Sequence, residues 1–280
     1  MNPVHAIPGE RHRQLTVNGL DMAVFEYGPA EGRPVLLLHG FPDTHAVWRH
    51  QAVALAAAGY RVIAPDVRGH GATEAPVAVA AYRLEQLVAD ALGLLDALGV
   101  REPVNLAGHD LGAITGWTLA ARHPERVRRY AALSVGHPRC YRGAPGQVFR
   151  GWYALMFQWR GVAEWLLSAG NWRMFRFFIP HPELARWIPD LSRPGRLTAT
   201  MAWYRANLWR MLRGEFPPAR VPTLGIWSTR DVALVEAQMT RSQSQVQAEW
   251  RYARIEGASH WLLLDRPEEV NRLLLEWFGA

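Results

Sequence analysis

The stretch Val104-Asn105-Leu106-Ala107-Gly108-His109-Asp110-Leu111-Gly112-Ala113-Ile114-Thr115 decides how this chain of 280 residues is read. The short apolar run 104–107 predicts a buried strand, and residues 113–121 read as a helix. Between them two glycines enclose His109-Asp110-Leu111. That is the composition of a tight strand-turn-helix elbow, in which neighbouring backbone passes closely and the apex residue is strained. The apex is Asp110. At the carboxyl edge of a sheet such a carboxylate is a candidate nucleophile, although an aspartate that merely caps the next helix gives the same letters.

Working outward, residues 35–38 (Val-Leu-Leu-Leu) and 61–64 are further continuous apolar runs, as expected of strands covered on both faces. Upstream, residues 13–17 and 23–27 flank Asn18-Gly19, a hairpin signal. Leu84, Leu87, Val88, Ala91, Leu92, Leu95 and Leu98 recur at three- and four-residue steps, one stripe of an amphipathic helix. Near the end, 223–227 and 252–255 read as strands. Val270, Leu273, Leu274 and Trp277 then mark a helix that starts through Asp265 and Pro267. Strand, helix and strand in alternation give an α/β class with a mostly parallel sheet.

Residues 137–216 differ in character. They hold Trp152, Trp159, Trp165, Trp172, Trp187, Trp203 and Trp209 but no clear β-branched run, so they read as a helical insertion packed by aromatics. The expected division is a core of residues 1–136 and 217–280 and a cap of residues 137–216, with apolar walls suited to a small-molecule pocket.

At 49% hydrophobic and 20% charged residues, the composition is that of a folded domain and not of a disordered chain. The formal charge is +6, yet all 31 basic residues are scattered arginines with no recognition module, so nucleic acid is not an expected partner. Cys140 stands alone, which excludes an intrachain disulfide and a cysteine-rich metal site. No apolar run is long enough to span a bilayer, and the first thirteen residues lack the apolar core of a leader, so a cytoplasmic location is the expectation.

Three more segments bear on chemistry. His39-Gly40-Phe41-Pro42 follows strand 35–38, where an elbow-type site takes its second oxyanion-hole donor. The backbone N–H groups of Phe41 and Leu111 are therefore the candidate donors, and His39 reads as a loop-organising residue. Asp231 follows strand 223–227 and His260 follows strand 252–255. The order nucleophile, acid, base, each at the carboxyl end of a strand, predicts a triad of Asp110, Asp231 and His260.

Together these residues resemble the epoxide hydrolases of the α/β-hydrolase fold. The resemblance runs through His39-Gly40-Phe41-Pro42-Asp43 with Trp48-Arg49-His50-Gln51, then Gly59-Tyr60-Arg61-Val62-Ile63-Ala64-Pro65-Asp66 with Arg68-Gly69, and then Gly108-His109-Asp110. It continues in Trp152-Tyr153 with Phe157-Gln158 and Val162-Ala163-Glu164, and in Trp203-Tyr204-Arg205 with Asn207. It implies a helical cap inserted after the sixth strand of a sheet flanked by helices. It also implies that Tyr153 and Tyr204, otherwise packing residues, are paired lid tyrosines. The implied reaction opens a lipophilic epoxide through an Asp110 ester, cleaved by water that His260 and Asp231 activate, with no metal or organic cofactor. Phe41, Pro42, Phe157 and Trp261 are the expected pocket wall. The implied partners are a small-molecule epoxide and water, and nothing indicates an oligomeric state.

The chain departs from that family's commonest pattern at Leu111, where a tryptophan often follows the nucleophile. Haloalkane dehalogenases use that indole, and fluoroacetate dehalogenases use arginines at the positions of Leu111 and Ile114. Leucine and isoleucine donate nothing. Dehalogenation by the same aspartate and non-catalytic ligand binding stay open as alternatives.

Overall fold

In the computed structural model the described residues are 7–279. The first six residues of the expected core and of the stretch read for a leader lie outside them, as does Ala280. Eight strands form one sheet: β1 (Arg11–Val17), β2 (Leu20–Tyr27), β3 (Pro34–Leu38), β4 (Arg61–Pro65), β5 (Val104–His109), β6 (Val127–Leu133), β7 (Thr223–Ser228) and β8 (Trp250–Ile255). Their spatial order is β1-β2-β4-β3-β5-β6-β7-β8. β1 and β2 pair antiparallel with each other, β2 pairs antiparallel with β4, and all remaining pairs are parallel. The hairpin turns at Asn18 and Gly19, both at positive φ, as a two-residue turn between twisted strands requires.

Every residue of β3, β5 and β7 is buried, as their unbroken apolar runs predict for strands covered on two faces. The cover comes from α1 (Arg49–Ala57), α2 (Leu84–Ala97) and α3 (Leu111–Arg122), and at the far end of the chain from α11 (Pro267–Gly279). β6 escaped the sequence reading because Arg128 and Arg129 interrupt its apolar pattern. Arg129 is accommodated by lying 4.7 Å over the Trp277 ring and pairing with Glu249 at 3.3 Å, which leaves the apolar part of the strand buried.

The stretch between β6 and β7 is helical: α4 (Gln147–Arg150), α5 (Trp152–Met156), α6 (Val162–Phe178), α7 (Leu184–Leu191) and α8 (Arg196–Arg213). α8 is joined to the core through Asn207. Its amide oxygen accepts the Leu84 N–H at the start of α2 (2.9 Å), and its Nδ2 donates to the Tyr82 and Trp203 carbonyls. Glu183, just before α7, pairs with Arg49 of α1 at 2.8 Å. The short helices α9 (Glu236–Thr240) and α10 (Leu262–Asp265) follow β7 and β8. These connections set the helical layer over the carboxyl ends of the parallel strands, where ligands bind in open α/β sheets.

Candidate active site

The elbow has the geometry its glycines allow. Asp110 adopts φ 52° and ψ −120°, a conformation a non-glycine residue holds only when its surroundings over-determine it. A Cβ on Gly108 would meet the Gly112 carbonyl at 2.5 Å, and one on Gly112 would strike the Leu38 carbonyl. The turn therefore closes against β3 only because both side chains are absent. The Asp110 carboxylate makes no capping bond to α3. Its Oδ1 accepts the Phe41 N–H at 2.9 Å, and its Oδ2 lies 3.5 Å from His260 Nε2. Gly40 has no room for a Cβ because Asp110 and the Leu111 nitrogen occupy that space.

His260 is held from several directions. Nδ1 donates to Asp231 Oδ2 at 2.8 Å, while Asp231 Oδ1 accepts the Ala233 and Leu234 N–H groups at 2.8 and 2.9 Å. The His260 carbonyl accepts from Ser134 Oγ at 2.8 Å and His109 Nε2 at 2.9 Å, which fixes the backbone under the ring. Burial alone would pull the imidazole down. The carboxylates of Asp231 and Asp110 outweigh it and push His260 up to about 10. Burial would likewise raise Asp110, but His260 and the Leu111 N–H hold it below the usual carboxylate value. Asp110, Asp231 and His260 are each at least nine-tenths buried.

A cavity of about 290 Å³ opens above Asp110 and His260. Phe41, Tyr153, Met156, Phe157, Tyr204 and Trp261 form much of its wall. Tyr153 and Tyr204 face each other with ring centroids 6.0 Å apart, and among the described residues neither hydroxyl is bonded to a protein acceptor. Burial, with the nearby Asp110 carboxylate adding to it, raises both phenols, so they are neutral donors at any physiological pH. Of the four residues expected on the pocket wall, Pro42 is not there. Phe41 faces the cavity, whereas Pro42 lines a separate recess with Glu183, Arg186 and Trp187.

Leu111 and Ile114 are buried and apolar. His39 is a loop organiser in this geometry: Nε2 accepts the Val67 N–H at 2.9 Å and Nδ1 donates to the Gly40 carbonyl at 3.0 Å. Burial, with His70 adding to it, lowers its pKa to about 3.

Three contributors were not singled out by sequence. Asp43 is buried and accepts two indole N–H bonds, from Trp187 at 2.7 Å and Trp261 at 2.8 Å, tying the loop after β3 to α7 and to the residue beside His260. Burial pushes its carboxyl up to about 7 although the indoles oppose this. Its position in His39-Gly40-Phe41-Pro42-Asp43 was the available signal. Arg150 lines the cavity and donates to the Asp231 and Leu234 carbonyls, and Tyr141 lies close enough for its hydroxyl to be influenced by Asp110 and Tyr153. Among the described residues no group of three His, Cys, Asp or Glu side chains is arranged to hold a metal ion, and no helix is long and apolar enough to cross a membrane.

A parallel sheet, an aspartate elbow and an acid-histidine pair at the strand ends define an α/β-hydrolase, and a family model described as the alpha/beta hydrolase fold matches residues 33–157. Among curated proteins the chain is 34% identical to epoxide hydrolase A of Mycobacterium tuberculosis, over 95% of this chain and 96% of that one. It is 32% identical to epoxide hydrolase 4 of Homo sapiens, over 87% and 72%. The crystal structure of an epoxide hydrolase from Vigna radiata superposes with a TM-score of 0.85 at 31% identity, covering 98% of this chain and 99% of that one. The chain belongs to the epoxide hydrolase family of the α/β-hydrolase superfamily.

Proposed function

We propose that the enzyme converts a lipophilic epoxide to a vicinal diol through a covalent ester on Asp110. The observation that carries this reading is the pair of unbonded phenol hydroxyls, Tyr153 and Tyr204, lining the same cavity as the Asp110 carboxylate. In the first step Asp110 Oδ2 attacks an oxirane carbon, the carbon–oxygen bond of the ring breaks, and the two phenols donate hydrogen bonds to the oxygen as negative charge develops on it. One phenol gives its proton to that oxygen, leaving a hydroxyalkyl ester, and the proton that resting His260 sheds as the Asp110 charge disappears restores the phenol. A carboxylate suits attack at a saturated carbon because the product ester still has a carbonyl that water can attack, whereas a serine would give an inert ether.

In the second step His260, oriented by Asp231, takes a proton from water, and the water adds to the Asp110 carbonyl. The Phe41 and Leu111 N–H groups stabilise the resulting oxyanion, which collapses to release the diol and regenerate the carboxylate. Esterification also removes one of the two negative charges beside His260. Its proton affinity then falls and the base becomes available only after the first step is complete. Residues 137–216 act as the cap and residues 1–136 and 217–280 as the core, the cap's apolar wall keeping bulk water from the developing charge.

Dehalogenation finds less support. Leu111 and Ile114 offer no donor for a leaving halide, and the indole N–H of Trp261 is already committed to Asp43.

The test is His260→Gln. The variant should accumulate an adduct with the mass of enzyme plus intact epoxide, and an unmodified variant with full turnover refutes the pathway. Tyr153→Phe with Tyr204→Phe should stop ring opening, and undiminished activity in that double variant removes the phenols from the mechanism.

A further inference from the structure

Large apolar side chains stand in water on two helices that contribute to the cavity wall. Phe149 is 84% exposed and Phe177 79% exposed. Phe149 immediately precedes the cavity-lining Arg150, and Phe177 contacts Phe178, which in turn packs on Trp152, with ring centroids 5.5 and 5.0 Å apart. Phe178 and Trp152 both line the opening. Single exposed hydrophobics are ordinary, but aromatics left in water on two helices that both contribute to one apolar cavity wall are candidates for an apolar contact surface.

Carboxylates are sparse on the same segment, so it carries a positive excess. Residues 137–216 contain twelve arginines and four carboxylates, an excess of eight positive charges in a chain whose whole net charge is +6. Three of those four carboxylates are already paired: Glu164 with Arg205, Glu183 with Arg49 and Asp190 with Arg193. Arg173 and Arg176 have no carboxylate partner among the described residues. Arg173 lies four residues before Phe177 in the last turns of α6, on the same face, and Arg176 is its neighbour.

We propose that the exposed surface of these helices, with Phe149 on α4 and Phe177, Arg173 and Arg176 on α6, docks on an anionic lipid bilayer. Aromatic rings enter the interfacial layer, guanidinium groups stay at the headgroups, and each arginine near a negative surface strengthens the attachment. The cavity mouth then faces the phase in which apolar epoxides dissolve. That last consequence rests on the proposed reaction, whereas the docking itself does not.

The experiment is co-sedimentation of the whole protein with vesicles of phosphatidylglycerol and phosphatidylcholine at low salt. The wild type should bind these vesicles, bind pure phosphatidylcholine at least tenfold less, and dissociate as salt is raised. Phe149→Ser with Phe177→Ser, and separately Arg173→Glu with Arg176→Glu, should each reduce binding at least tenfold while the melting curve is unchanged. None of the four residues lines the cavity, so turnover of a water-soluble epoxide should persist. Because sedimentation needs no catalysis, its result stands whether or not the reaction is as proposed. Absence of wild-type binding, variants that bind equally, or a wild-type dimer in vesicle-free buffer that the serine variant dissociates would each overturn the assignment.

Discussion

Asp43 is the residue whose perturbation tests the site's construction most sharply. Its carboxyl is buried between the Trp187 and Trp261 indoles, no cation among the described residues is bonded to it, and Glu183 and Asp110 are the charged groups that bear on it. Below its ordinary value of 3.8 it is protonated in both the folded and unfolded states, and above about 7 it is ionised in both. Between those limits the unfolded chain gives up its proton first. Asp43 therefore subtracts stability progressively as pH rises, reaching about 4 kcal/mol at about 1.4 kcal/mol per tenfold change in proton affinity. Asp43→Asn keeps one acceptor and removes the titration. The difference in unfolding free energy, wild type minus variant, should fall by about 2–4 kcal/mol between pH 4 and pH 8. Urea unfolding followed by tryptophan emission across that range measures it, and comparison with the variant cancels every other titrating group. Parallel stability curves for the two proteins would refute the reasoning, because they would mean that the carboxyl ionises as easily inside the fold as outside it. A difference that grows with pH would reverse its sign.

Asn207→Ala leaves the Leu84 N–H and the Tyr82 carbonyl without partners between α8 and the core. Chemical unfolding should show a loss of about 2–4 kcal/mol, with a lower kcat/KM because Tyr204 sits one helical turn away. Arg68 is paired with Asp90 in a buried bidentate bridge at 2.6 and 2.8 Å. Arg68→Met should cost about 3–5 kcal/mol by stranding the carboxylate, and adding Asp90→Leu should restore most of it in the same assay. In single turnovers, ester hydrolysis should rise with pH around a midpoint well below 10, the resting His260 value, since esterification removes the Asp110 charge. A midpoint that stays at 10 contradicts this.

The strands that position the site were legible where local pattern suffices. The runs at 35–38, 61–64 and 104–107 are buried on both faces by the same apolar side chains that announce them, and the glycines around Asp110 report a close approach that only glycine permits. Asp231 and His260 were picked out because each follows its own strand, and the fold brings them within 2.8 Å of each other. What resisted reading depends on distance along the chain. The two indoles on Asp43 come from 144 and 218 residues away, and no local spacing encodes that meeting. β6 was missed because Arg128 and Arg129 look solvated in sequence, while Arg129 is satisfied by Trp277 near the other end of the chain. Pro42, expected on the cavity wall, lines a different recess with Glu183, Arg186 and Trp187.

The tyrosines make the same point about chemistry. Of the eight in the chain, Tyr27, Tyr82, Tyr130 and Tyr252 each donate to a protein oxygen, at 2.6 to 2.8 Å. Tyr141, Tyr153 and Tyr204 make no such bond among the described residues, although burial raises all three. A buried hydroxyl without a partner costs about 1–3 kcal/mol, and the fold avoids that cost at the other buried phenols named. Tyr60, the eighth, also makes no such bond among the described residues and lies near Gly279, away from the site; the other three surround the Asp110 carboxylate, so in the proposed reaction their unused hydrogen-bonding capacity is open to the epoxide oxygen. On the proposed reading, the donors left over around Asp110 are where the substrate would complete the network.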